Sequence, residues 1–316
     1  MPAGIENVWL NTSIPSYFVD YADLIFDHFS GRITNYLTFN EPAVFIKQGY
    51  EDLGFPPGPT DDGRGKDVYQ AAHNMLISHA KAVEIFRQKN YPGRIGITLN
   101  GGWNVIPQTK HDIDDIETGF TAEEFYVGWF ANPVYKRDYP EIMKYRLGNR
   151  LPKFSEEELD LLSGSSDFFG LNYYASDILH SPTHDEFQTT CKPWDGTCEY
   201  EYAYACDIPE LRCAEKCDSW PSSGSSWLKP SPFAFRIYLR WLRDRYGMPI
   251  FVTENGVSSR DSDMINPLED LDTRGWVYEN NINQIMRAVI QDDVDVIGYA
   301  AWSLMDNYFM KSENKM

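Results

Sequence analysis

Residues 33–42 read Ile33-Thr34-Asn35-Tyr36-Leu37-Thr38-Phe39-Asn40-Glu41-Pro42. The first seven are rich in β-branched and aromatic side chains and read as a strand over 33–39. The polar pair Asn40-Glu41 then meets a proline, which cannot donate to a sheet ladder and ends the strand. Upstream, residues 18–30 carry Phe18, Tyr21, Ala22, Ile25 and Phe29 at the spacing of one helix face. Downstream, a loop rich in Gly, Pro and Asp (51–65) leads to a second helical pattern over 67–90. Ala71, Ala72, Met75, His79, Val83 and Phe86 share one side of it, and the strand RIGITLN (94–100) follows. Helix and strand in alternation are the signature of a parallel α/β sheet.

The alternation continues to the end of the chain. A helical region over 120–147 is expected to be interrupted by Pro133 and Pro140, because proline lacks the N–H an inner helical residue donates. SSDFFGLNYY (165–174), PIFVTEN (249–255) and DVIGYAAWS (295–303) read as strands, and 232–246 and 273–291 as helices. Every strand closes on polar or aromatic residues: Asn40-Glu41, Asn100, Asn172 to Tyr174, Glu254-Asn255 and Trp302. In a (β/α)8 barrel the C-terminal strand ends build the active site and supply catalytic groups from several strands. Any one such residue could be a helix cap or a turn residue; five strands obeying the same rule point to a site.

Composition narrows the function. The chain has 316 residues and a net charge of −19, which argues against nucleic acid or an anionic membrane as partner. No apolar run approaches the ~20 residues of a membrane span. The opening MPAGIENVWLNTSIPSY lacks the basic region and apolar core of a secretory signal. All five cysteines, Cys191, Cys198, Cys206, Cys213 and Cys217, fall inside the long irregular stretch 177–231. The local pair Cys213 and Cys217 has no second pair at zinc-ribbon spacing and no nearby histidine, so a disulfide-bearing insertion is expected rather than a metal site. That expectation and the sequon Asn11-Thr12-Ser13 point to a secreted or lumenal protein. His73 and His79 lie at helical spacing and read as packing histidines. No internal repeat or linker divides the chain, so residues 1–316 read as one domain.

Two strand-end glutamates, Glu41 and Glu254, each adjoin an asparagine. Glycoside hydrolysis needs two carboxylates flanking the scissile bond, one to protonate the leaving oxygen and one to attack the anomeric carbon or activate water. A spacing of roughly 5 Å gives retention, and a wider one inversion. A carboxylate pair alone leaves both outcomes, and ordinary surface ion pairing, open.

The motifs Thr38-Phe39-Asn40-Glu41-Pro42, Asp167-Phe168-Phe169-Gly170-Leu171-Asn172-Tyr173-Tyr174, Val252-Thr253-Glu254-Asn255-Gly256 and Gly298-Tyr299-Ala300-Ala301-Trp302-Ser303-Leu304-Met305-Asp306-Asn307 resemble family 1 glycoside hydrolases. Order and spacing match, and the likeness covers the chain apart from the cysteine-rich insertion. The stretch Ser225-Ser226-Trp227-Leu228-Lys229 is similar to animal lactase-like and β-glucosidase members. The resemblance implies a retaining β-glycosidase on a (β/α)8 barrel, hydrolysing terminal β-linked glucosides or galactosides. By position, Glu41 matches the acid/base, Glu254 the nucleophile, and Tyr174 the tyrosine that orients the nucleophile. Asn40 matches the residue that binds the sugar 2-OH, Trp302 the aromatic floor under the sugar, and Asn172 a further substrate-binding position. Trp103 is expected as an aglycone contact, with a packing role as the plainer alternative. The substrate is a small-molecule β-glycoside, and the mechanism requires neither metal nor organic cofactor.

The likeness also departs from the family. Its barrel opens with three strands that supply a Gln and a His to the sugar, and this chain begins just before the helix preceding the fourth. At the other end the family continues Asn-Phe-Glu-Trp, whereas Asn307 is followed by Tyr308-Phe309-Met310-Lys311. The expectation is an incomplete barrel holding strands 4 to 8, truncated at both ends and inactive when expressed alone. A klotho-like sugar- or receptor-binding member is the alternative; such proteins lose one catalytic carboxylate, and this chain keeps both.

Overall fold

The computed structural model describes residues 8–51, 55–58, 65–105, 113–179, 221, 223–225, 227–258 and 274–304. The five cysteines and the expected disulfide lie outside the described residues, as does the segment 305–316. Five strands form one parallel sheet in sequence order: β1 (Asn35–Asn40), β2 (Arg94–Asn100), β3 (Phe169–Asn172), β4 (Ile250–Glu254) and β5 (Val296–Tyr299). α1 (Ile14–Phe29) precedes β1; α2 (Pro42–Tyr50) and α3 (Asp67–Gln88) link β1 to β2. Between β2 and β3 run α4 (Ile113–Glu123), a π-helical turn (Glu124–Gly128), α5 (Trp129–Lys136), α6 (Glu141–Leu147) and α7 (Glu156–Leu162). α8 (Pro232–Tyr246) precedes β4, and α9 (Arg274–Asp292) precedes β5.

Strand periodicity decides which side chains meet the helices. Ile97 and Leu99 of β2, Phe169 and Leu171 of β3, and Ile250 and Val252 of β4 share one buried cluster with Met75 of α3 and Phe235 and Leu239 of α8. On the opposite face, glycines interlock with larger neighbours across the strands. A Cβ on Gly170 would meet Thr98 Oγ1 at 2.6 Å, and one on Gly298 would meet the Phe251 ring at 2.8 Å.

Two outcomes differ from expectation. Pro133 does not interrupt the helix but sits inside α5. It is buried there, one residue of a helix packed into the core, and a π-helical turn lies immediately upstream. Pro140 does break the helix, standing as the N-cap of α6. α2 and α7 are additional helices. α7 begins with a capping box in which Ser155 Oγ accepts from the Glu158 N–H at 3.3 Å and Glu158 accepts from the Ser155 N–H at 2.8 Å.

The two edges of the sheet differ from its middle. All four residues of β5 are only half-buried, and the groove between β5 and α9, lined by Ile285, Met286, Val289, Ile290, Val296 and Ile297, has a cavity volume of about 340 Å³. At the other edge Leu37 of β1 and Tyr21 and Leu24 of α1 are exposed.

Candidate active site

The register of the sheet brings the strand ends together. Asn40 of β1 stands opposite Thr98 of β2, Asn100 opposite Asn172 of β3, and Asn172 opposite Glu254 of β4. Between β3 and β4 the pairing skips from Leu171↔Val252 to Asn172↔Glu254, leaving Thr253 as the extra residue of a β-bulge. Strict alternation would turn Glu254 toward the same face as buried Val252. The bulge re-aims it, so both Thr253 and Glu254 present their side chains toward the site.

Glu41 reaches the site by another route. It is the cap residue between β1 and α2 and adopts φ 47°, ψ 55°, the left-handed region that costs a residue with a Cβ. Its N–H donates to the Thr98 carbonyl at 3.0 Å, and its carbonyl accepts from Phe45 N–H at 3.1 Å. Pro42, at the first turn of α2, forgoes an N–H that a helix start leaves unpaired anyway. Such strain persists where the surroundings over-determine it, typically at functional positions.

Asn172 links the two carboxylate-bearing strands. Its Nδ2 donates to Glu41 Oε1 at 2.7 Å and to Asn40 Oδ1 at 3.0 Å, while its Oδ1 accepts from Thr253 Oγ1 at 2.7 Å. All three polar contacts satisfy a side chain that is 1% exposed. On the other carboxylate, the Tyr174 hydroxyl donates to Glu254 Oε2 at 2.7 Å. Burial and the adjacent Glu254 hold the Tyr174 hydroxyl far above its ordinary range, so it remains a neutral donor. Burial raises Glu41 above the usual carboxylate value, the Asn172 hydrogen bond opposes that, and the charge of Glu254 raises it again. The two glutamates therefore interact electrostatically yet sit among different partners.

Asn255, fully buried, holds the end of β4. Its Nδ2 donates to the Tyr173 carbonyl at 2.7 Å, and its Oδ1 accepts from Asn281 Nδ2 at 3.1 Å and the Tyr299 hydroxyl at 2.8 Å. Its carbonyl accepts from Trp302 N–H at 2.8 Å, which ties Trp302 to the segment bearing Glu254. A Cβ at Gly256 would stand 2.2 Å from the Trp302 carbonyl, so this approach admits only glycine. The Trp302 residue itself is 42% exposed. Trp103 follows β2 at the same end of the sheet, with its ring half-buried against Phe120 and Trp241 at centroid distances of 6.0 and 5.9 Å.

The structure thus joins Asn40, Glu41 and Asn172 directly, and Tyr174 to Glu254, with Trp302 and Trp103 flanking. Residues that the sequence does not single out for the site are Thr253 and Tyr126; the Tyr126 hydroxyl meets the amide of Asn100 at 2.6 Å. Asn100 was visible as a strand-end asparagine; Tyr126 carried no signal. His73 and His79 are buried packing histidines: Nδ1 of His79 bonds Thr38 Oγ1 at 2.7 Å, and burial pushes that imidazole down to about 3. Among the described residues no group of three or more His, Cys, Asp or Glu is placed to hold a metal ion, and no helix is long and apolar enough to cross a membrane.

Comparison with known proteins decides the family. The profile of glycosyl hydrolase family 1 matches residues 2–314. The chain belongs to glycosyl hydrolase family 1. It is 37% identical over 314 residues to beta-glucosidase 1B of Phanerodontia chrysosporium, covering 95% of this chain and 55% of that protein. It is 34% identical to human lactase/phlorizin hydrolase, covering 98% of this chain and 16% of that protein. Beta-glucosidase 2 of Trichoderma reesei superimposes with a TM-score of 0.79 at 34% identity, over 95% of this chain and 62% of that one. A rice beta-glucosidase gives 0.82 at 28% identity, over 95% and 64%. The chain therefore spans less than two thirds of the length of these relatives. Family membership and these likenesses carry the (β/α)8 barrel fold, to which the parallel sheet belongs.

Proposed function

We propose that this chain carries the catalytic pair of a retaining β-glycosidase acting on terminal β-linked glucosides or galactosides. The observation that carries this reading is the pair of strand-end carboxyls with opposed settings. Glu41 is half-buried and its carboxyl is raised above its ordinary value, chiefly by desolvation, whereas Glu254 accepts a hydrogen bond from Tyr174. Such a division of environments separates an acid from a nucleophile.

In the first step Glu254 attacks the anomeric carbon while Glu41 protonates the departing glycosidic oxygen. In the second, Glu41 takes a proton from water, which displaces Glu254 from the glycosyl-enzyme and retains the configuration. The Tyr174 hydroxyl orients Glu254 and compensates its charge before attack. Asn172 holds Glu41 through one amide N–H and fixes Asn40 through the other. The amide nitrogen of Asn40, its oxygen engaged by Asn172, is then available to the sugar 2-OH. Trp302 floors the sugar subsite, and Trp103 borders the aglycone. Both carboxyls are present, which disfavours a non-catalytic sugar-binding member.

We further read the five strands as strands 4 to 8 of the barrel, within a single domain with an insertion at about 177–231. The apolar groove at β5 and α9 and the exposed apolar residues of α1 and β1 support this, since both would be covered by three further βα units in a closed barrel. The cysteine-rich insertion and the sequon support a secreted or lumenal setting. The test of the function is stereochemical. Hydrolysis of an aryl β-glucoside by the completed barrel, followed by NMR, should release the β-anomer first; release of the α-anomer would overturn the double displacement.

A further inference from the structure

The loop Gly101–Val105 that carries Trp103 is held from three sides. On the β3 side, the Trp103 N–H donates to Ser176 Oγ at 2.9 Å, and Asp177 N–H donates to Asn104 Oδ1 at 2.9 Å. On the α8 side, a Cβ at Gly101 would meet the Tyr238 hydroxyl at 2.1 Å, and Trp241 faces the Trp103 ring. α4 closes the third side. A Cβ at Gly119 would lie 2.9 Å from the Asn104 carbonyl, and Glu123 Oε1 accepts from the Asn104 N–H at 3.1 Å. Glu123 is 1% exposed, and the glycosidase reaction has no use for its carboxyl.

We propose that Glu123 is a positioning residue for the aglycone side of the cleft, fixing the Gly101–Val105 loop against α4 and so the place of the Trp103 ring. That Trp103 borders substrate rests on the glycosidase reading above; the pinning of the loop rests on these contacts.

The groups facing Glu123 explain why a carboxyl serves here. The Asn104 N–H, Tyr238 and Arg245 favour its ionised form, while burial and the charge of Glu124 oppose it. Arg245 is itself engaged by Glu124, donating to Oε2 at 2.6 Å, and by Asn132 Oδ1 at 3.3 Å. Tyr126 and Tyr246 also sense the Glu123 charge. Burial prevails, and the carboxyl is pushed up to about 8. At neutral pH it is an uncharged group whose oxygen accepts from the loop. Ionisation would place a desolvated charge beside Glu124, and hydration through a loosened loop would relieve it.

The test is hydrogen–deuterium exchange of the segment 101–105 in the full chain, normalised for intrinsic exchange, at pH 7 and pH 9. Three proteins are compared: the parent, Glu123→Gln and Glu123→Leu. In the parent, protection should fall about tenfold by pH 9, the loss accruing over the unit from pH 7 up to the folded value of about 8 and levelling off above it. Glu123→Gln should keep its protection at both pH values, and Glu123→Leu should exchange faster already at pH 7. Equal loss of protection in the parent and Glu123→Gln, or parent-like protection in Glu123→Leu at pH 7, would overturn the proposal. If Glu123→Leu fails to fold, the parent and Glu123→Gln comparison decides alone. None of these readouts requires turnover, so they fail separately from the glycosidase reading.

Discussion

The Asn172 amide donates to the Glu41 carboxylate at 2.7 Å, across the gap between β3 and the segment that follows β1. One side chain thus sets the orientation and the ionisation of the group assigned to proton transfer. Replacing it with Asp removes the donor and adds a like charge. In Asn172→Asp the basic limb of the kcat/KM profile should move to higher pH, and kcat should fall about 10²-fold, as when one positioned donor is lost. An unchanged profile would sever Asn172 from Glu41.

Tyr174 supplies the hydrogen bond Glu254 accepts. A hydrogen bond to a charged group is worth about 1.5–3 kcal/mol, so Tyr174→Phe should lose about 10- to 150-fold in kcat on an aryl β-glucoside. Near-parent turnover would mean that Glu254 needs no such partner.

Glu41 also bears on stability. Its carboxyl is raised in the folded protein, so its contribution is fully present below the unfolded value near 4.5 and declines as pH rises through the folded one. Glu41→Gln removes that decline. Chemical denaturation should find the variant more stable than the parent at pH 7 and level with it at pH 4. A parent advantage at pH 7 would contradict the sign.

The exposed apolar edges predict what the chain does alone. Catalytic groups must be held to about 0.5 Å, and an open sheet leaves part of their support missing. The chain by itself should hydrolyse aryl β-glucosides far more slowly than the chain joined to the first three βα units of a family relative. Glu254→Ala should abolish the activity of the joined protein. Full activity of the chain alone would overturn the assignment of its strands to positions 4 to 8, and activity surviving in Glu254→Ala would overturn the nucleophile.

Asn255 offers a structural prediction. It is fully buried with three side-chain hydrogen bonds, and Asn255→Ala would leave the Tyr173 carbonyl, Asn281 and Tyr299 without that partner. The expected loss is about 3 kcal/mol in urea unfolding. A loss below about 1 kcal/mol, at the scale of one ordinary hydrogen bond, would show that the neighbours re-pair.

Much of this was legible along the chain. The strand over 94–100 and the helix over 232–246 have the boundaries their residue patterns indicate. There the apolar period is unbroken and Asn100 or Pro232 marks an end. α2 was not legible, because it is short and follows the strand end directly. α7 had a readable signal in Ser155 and Glu158. Pro133 misled because it is buried inside α5, where tertiary packing outweighs the one hydrogen bond that its missing N–H removes.

The sequence by itself determined the alternation of helices and strands, the family motifs, and which two glutamates stand at strand ends. These are local matters, decided by periodicity and by neighbours along the chain. Only the tertiary structure decided that the two glutamates come close enough at one end of the sheet for the charge of Glu254 to act on Glu41. Period-2 alternation from Val252 would turn Glu254 away, and the extra residue at Thr253 turns it back. A bulge exists only as a mismatch between two paired strands, so neither strand encodes it alone. The same holds for Asn172, whose amide becomes a bridge between Asn40, Glu41 and Thr253 once parallel pairing has set the register.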